Sequence, residues 1–116
     1  MRRERSYILY LEDVQVSMQR ILEYVEGLQF DTFSKDYRTI DAVVRNFEII
    51  GEAARHVPDR IKELYPYVPW MEMYYFRNKI SHEYFGIDYE ILWDIVTSHL
   101  QENLKQIEII LEKEAG

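Results

Sequence analysis

The chain has 116 residues, enough for one domain and too few for two. It contains no cysteine, which excludes disulfides and thiolate metal sites. Its net charge of −7 argues against strong, unselective binding to nucleic acid, which normally shows as a basic footprint, although a local basic pocket stays compatible with it.

Hydrophobic residues make up 47% of the chain, so a single packed core over 1–116 is expected, and the plentiful aromatic and branched residues argue against disorder. The N-terminal run Met1-Arg2-Arg3-Glu4-Arg5 is charged, but Glu12 and Asp13 interrupt before any apolar signal core can form. No stretch is apolar for long enough to span a membrane. A cytoplasmic protein is expected.

The first helix is predicted from about Arg5 to Glu26. Tyr7, Leu11, Val14, Met18, Ile21, Val25 and Leu28 alternate steps of four and three, and Gly27 stands where the helix can end. A short turn of helix over Asp31–Lys35 precedes the second, which runs from about Tyr37 to His56. Its stripe is Ile40, Val44 and Phe47, flanked by Val43, Ile50 and Ala54. Gly51 interrupts that helix at a cost of about 1 kcal/mol relative to alanine, and close helix–helix approach is the reading favoured for it.

Pro58 to Leu64 suits a short connecting helix, and Tyr65-Pro66-Tyr67-Val68-Pro69 a stiff connector. Pro69 then starts a third main helix carrying Trp70, Met73, Tyr74, Arg77 and His82, which Gly86 breaks. Asp88 is a plausible N-cap for the last helix, running to about Lys113 with the stripe Tyr89, Trp93, Val96, Leu100, Leu104, Ile107 and Leu111. No alternating strand pattern of useful length appears. The expected fold is all-α: an up-and-down four-helix bundle with a short extra connecting helix.

Chemistry concentrates on the third main helix, where Arg77, Asn78, Lys79, Ser81, His82 and Glu83 sit among Trp70, Tyr74, Tyr75, Phe76, Tyr84 and Phe85. On an ideal helix Arg77 and His82 lie about 140° apart, whereas Asn78 and His82 share a face, as do Arg77 and Ser81. Bringing Arg77 to His82 then needs the arginine's reach, a distorted helix, or a second subunit. The residue types fit phosphodiester cleavage. Histidine can take the proton of a ribose 2′-hydroxyl near neutral pH. Arginine can grip a phosphate with two donors and stabilise the charge that develops in the transition state. Asn78 could orient the histidine or the substrate. Taken alone, the pair is weak evidence, since arginine and histidine five apart on a helix are common. A zinc site would need His56, His82 and His99 to converge without a recognisable ligand spacing, and is disfavoured.

The stretch Phe76-Arg77-Asn78-Lys79-Ile80-Ser81-His82-Glu83-Tyr84-Phe85-Gly86-Ile87-Asp88 resembles the Arg-X4-His-X-Tyr signature of HepT-like proteins in the HEPN superfamily. Upstream, Ala42 to Ala54 also resembles that family, as do Val68-Pro69-Trp70 and the later Trp93. The resemblance runs from about Ala42 to Leu100. It implies a helical bundle that dimerises with two motifs near a shared cleft. It also implies a metal-independent endoribonuclease without a cofactor, the toxin of a toxin–antitoxin pair acting on RNA. By the same resemblance, Arg77 and His82 are catalytic and Asn78 is the polar residue that often follows the arginine. Tyr84 is the site where a minimal nucleotidyltransferase antitoxin attaches AMP. Glu52 lies in a matched block without a definite role. The alternative is a non-catalytic, substrate-binding partner subunit of a nucleotidyltransferase.

Overall fold

The computed structural model describes residues 6–82 and 86–115, with His82 described by its backbone alone. Helix α1 (Tyr7–Val25) starts at Ser6, whose Oγ accepts from the Ile8 amide at 3.2 Å. It ends just before Gly27, which takes φ +78°, a conformation open to glycine without a Cβ penalty. Leu11, Val14, Met18 and Ile21 are buried, as their spacing predicts. The short α2 (Phe30–Phe33) follows, and then α3 (Tyr37–Arg55).

Asp36 caps α3. One carboxylate oxygen accepts from the Thr39 amide at 3.1 Å and the other from the Thr39 hydroxyl at 2.6 Å. The hydroxyl bond, then the amide bond, holds the Asp36 carboxyl below its ordinary pKa. The buried face of α3 is wide, comprising Ile40, Val43, Val44, Phe47, Ile50, Gly51, Ala53 and Ala54. Gly51 is where α3 and the short helical turn carrying Met73 touch backbone to backbone. A Cβ there would stand 2.6 Å from the Met73 carbonyl oxygen, so the close-approach reading of this glycine holds.

Helix α4 (Asp59–Leu64) is the expected connecting helix. The expected continuous helix from Pro69 to Gly86 is not there. It is replaced by α5 (Trp70–Tyr74), a break at Tyr75, α6 (Phe76–Ile80), and two strand residues on each side of a hairpin, β1 (Ser81–His82) and β2 (Gly86–Ile87). The break has a tertiary cause. The Arg55 guanidinium donates to the Tyr74 carbonyl at 3.3 Å, and Met73 O is pressed against Gly51. The ladder restarts from the next carbonyl, Tyr75 O, which accepts from both Asn78 and Lys79. The end of α6 is local: the Ser81 hydroxyl donates to Arg77 O, a side-chain bond that competes with helix continuation. Ser81 then pairs with Ile87 and His82 with Gly86, which adopts φ +85°, and the Asp88 amide closes onto Ile80 O at 2.6 Å.

Asp88 caps the last helix as expected, its Oδ1 accepting from the Ile91 amide at 3.1 Å. That helix is in three pieces: α7 (Tyr89–Asp94), one π turn (Ile95–His99) and α8 (Leu100–Ala115). In the π turn the Leu100 amide reaches back five residues to Ile95 O, while the Thr97 hydroxyl takes the Trp93 carbonyl at 2.7 Å. The expected Val96, Leu100 and Ile107 keep their place in the core on either side of the extra residue. Leu92, Val96 and Leu100 are buried before and through it, Ile107 and Ile110 after it. Tyr89, Trp93, Leu104 and Leu111 of the expected stripe are only half-buried against the same core.

These pillars form an all-α bundle around one continuous core. α1 packs on α3 and α8, and α5 and α6 pack on α3. Among the described residues, no helix is long and apolar enough to cross a membrane.

Candidate functional site

The site is built where α6 leaves α3 and turns into the hairpin. Phe76 anchors it, stacked on Phe47 of α3 with ring centroids 4.2 Å apart and both rings buried. With Phe76 and Ile80 facing inward, Arg77, Asn78 and Lys79 face outward and are exposed. The Arg77 guanidinium reaches Glu48 of α3, Nη1 to Oε1 at 3.6 Å. Side-chain exposures of 59% and 42% make this a solvated pair of small energetic worth, one that a competing phosphate could displace.

His82 stands five residues on, but on a strand. The helical face shared with Asn78 therefore does not exist, because α6 ends at Ile80. The Arg77–Ser81 relation survives as the hydroxyl-to-carbonyl bond that ends the helix. The chain direction between Arg77 and His82 is set by that termination and by the β1–β2 pairing, in place of the 140° helical offset. Tyr84 and Glu83 lie outside the described residues.

Glu52, from the upstream block, turns to His56 at 3.5 Å, and the His56 ring stacks on Tyr10 with centroids 4.6 Å apart. Together with Asp13, Arg45, Ile49 and Glu48, these groups line an open groove between α1 and α3. Glu48 thus borders both the groove and Arg77. His99 sits in the π turn against Asp94 at 3.5 Å. Among the described residues, no three histidine or carboxylate side chains are grouped to hold a metal ion.

Sequence reasoning did not single out Glu48 as the partner of Arg77. The signal was faint: Glu48 and Glu52 share a face of α3 at a four-residue spacing, but nothing in the chain says that α6 lies beside it.

The HepT-like family model, described as "Ribonuclease HepT-like", matches residues 14–110. The chain belongs to the HepT-like ribonuclease family. A relative in Methanocaldococcus jannaschii named "putative RNase" is 41% identical over 107 residues, covering 92% of this chain and 88% of the relative. A "putative RNase" of Caldanaerobacter subterraneus subsp. tengcongensis is 40% identical over 105 residues, 90% and 94% of the two chains. The "probable ribonuclease HepT" of Thermococcus cleftensis is 42% identical over 93 residues, 80% and 84% of the two. No solved structure matches the chain. In this chain Arg77 lies on α6 and the His82 backbone on β1.

Proposed function

We propose that this HepT-like chain is a metal-independent endoribonuclease, the toxin half of a toxin–antitoxin pair, with Arg77 and His82 as its catalytic residues. The observation that carries the reading is the exposed Arg77 guanidinium, held at the helix-to-hairpin junction five residues before His82, in a chain of a ribonuclease family. His82 takes the proton of a ribose 2′-hydroxyl as that oxygen attacks the adjacent phosphorus; the P–O5′ bond breaks, leaving a 2′,3′-cyclic phosphate and a 5′-hydroxyl that takes its proton from water. Arg77 exchanges Glu48 for the phosphate and stabilises the charge on its non-bridging oxygens. Asn78, exposed beside Arg77, orients the substrate. A second copy of the chain completes the cleft. A nucleotidyltransferase antitoxin silences the pair by transferring AMP to Tyr84, which sets a bulky anion two residues from His82, where it can compete for Arg77.

The test is cleavage of RNA by the purified chain in the presence of a chelator. Wild type should cleave, His82→Ala should lose all activity, and Arg77→Ala should lose roughly a hundredfold or more, as for a removed transition-state donor. Cleavage that persists in His82→Ala removes His82 from the mechanism. Coexpression with the partner should add one AMP mass, and Tyr84→Phe should abolish the gain.

One observation favours a second reading, a non-catalytic partner subunit of a nucleotidyltransferase. The chain is acidic overall, and a carboxylate already occupies Arg77. This reading predicts a tight complex with the partner and no RNA cleavage under any condition.

A further inference from the structure

Fourteen lysines and arginines are set against 21 carboxylates in this chain, so a polyanion would be repelled by most of its surface. Two of the cations gather with aromatic rings at one place. Where α3 meets the α5–α6 break, the Arg55 guanidinium lies 5.5 Å from the Tyr74 ring centroid and 5.9 Å from that of Tyr75, and Lys62 Nζ lies 4.5 Å from Tyr74. Among the described residues neither Arg55 nor Lys62 has a carboxylate within ion-pair distance. The nearest α3 carboxylate by sequence, Glu52, is turned to His56. Arg55 spends one N–H on Tyr74 O, which leaves other donors of its fork for a phosphate. Tyr75 is 49% exposed, so one side of its ring is open to a ligand.

The cluster also lies on the same seam as the catalytic arginine. Glu48, which holds Arg77, and Arg55 are seven residues apart on α3, about 10 Å along its axis. Lys62 also borders a hollow beneath the Tyr65–Pro69 connector, where Asp59, Glu63 and Glu72 set an acidic edge to the cluster.

We propose that Arg55, Lys62 and Tyr75 form a subsite for the single-stranded RNA segment that flanks the cleaved phosphate, the cations holding backbone phosphates and Tyr75 stacking on a base. The proposal rests on the ribonuclease reading for its substrate, but it assigns residues outside the Arg-X4-His-X-Tyr segment. Cations on a groove plus an exposed ring are the elements by which proteins hold single strands without reading much sequence.

The test is fluorescence anisotropy of a labelled single-stranded RNA on the His82→Ala protein, alongside cleavage kinetics on the wild-type background. Tyr75→Ala should weaken binding roughly tenfold, while Tyr75→Phe, which keeps the ring, binds normally. Arg55→Gln and Lys62→Gln should each lower the salt dependence by about 0.7 in log–log slope, and Arg55→Lys should restore most of it. Thermal melts identify any variant that merely unfolds, and the conservative pair then decides. His82-dependent cleavage with KM and affinity indifferent to Tyr75 and Arg55 overturns the subsite and leaves the ribonuclease standing. Binding that depends on Tyr75 and Arg55 without cleavage upholds the subsite and overturns the ribonuclease. A protein that neither binds nor cleaves overturns both.

Discussion

Gly51 and Arg77 are coupled through the backbone between them. The absent side chain at Gly51 lets Met73 O come against α3, which seats α5 and, through Tyr75, fixes where α6 begins. Substituting alanine improves helix propensity by about 1 kcal/mol, but the new Cβ meets a backbone carbonyl at 2.6 Å, which cannot swing aside like a flexible side chain. Overpacking costs typically about 1–3 kcal/mol, so the clash wins. Gly51→Ala should lower stability in a denaturant melt and reduce RNA cleavage beyond what the stability loss explains, because α6 must move off Phe47. A variant as stable and active as wild type would show that α5 is not held by this contact. The chemistry of the site at this scale was partly legible. Arg77, Asn78 and His82 stood out by residue type and by resemblance. Glu48, Arg55 and Tyr75 did not, because their significance lies in what crosses from α3 to the α5–α6 break, and neither periodicity nor spacing carries that information.

Element boundaries followed the chain closely where caps and glycines wrote them. Ser6, Asp36 and Asp88 each accept an amide of the first turn, and Gly27 closes α1 with positive φ. Asp88 has the added task of ending the hairpin, since its amide donates to Ile80 O while its carboxylate starts α7. Asp88→Ala should therefore cost about 1 kcal/mol as a lost cap. Hydrogen exchange should show faster opening at Ile91 and across β1–β2, with α1 and α3 unaffected. Uniform destabilisation of all helices would argue against a local role. Two features of the elements were not legible. The break at Tyr75 arises because Arg55, some twenty residues upstream, takes the Tyr74 carbonyl. The π turn inserts one residue into the last helix, and Leu92 and Ile110 are buried where the expected stripe had Trp93 and Leu111.

Across the whole molecule, Glu114 near the end of α8 ties together parts distant in sequence. Its Oε1 accepts from the Tyr7 hydroxyl of α1 at 2.9 Å and its Oε2 from the Tyr65 hydroxyl of the connector at 2.8 Å. The bond from Tyr65, then that from Tyr7, holds the Glu114 carboxyl below its ordinary pKa, and the bond to Glu114 pushes the Tyr65 phenol up to about 12. The signs follow from linkage. The contribution of Glu114 is present above its unfolded pKa and is lost as pH falls through the lowered folded value. The contribution of Tyr65 is present below pH 10 and is lost as pH rises from there through about 12. Thermal midpoints measured across pH should drop at both ends. Tyr65→Phe should flatten much of the alkaline fall, leaving only the smaller share carried by Tyr7, and Glu114→Gln should flatten both limbs. An unchanged alkaline limb in Tyr65→Phe would show that other groups govern it.

By itself the sequence determined the helical class, the stripes of α1 and α3 and the Asp88 N-cap, and it singled out Arg77 to Tyr84 as the candidate segment. All of these depend on neighbours within a turn or two of the chain: apolar spacing, a carboxylate beside free amides, a glycine able to take positive φ. The tertiary structure alone decided that the expected helix breaks at Tyr75, that Glu48 faces Arg77, and that Arg55 and Lys62 gather over Tyr74 and Tyr75. Those outcomes come from competition for single carbonyls and cations between segments a dozen or more residues apart. Such a competition is settled only once packing has brought the segments together.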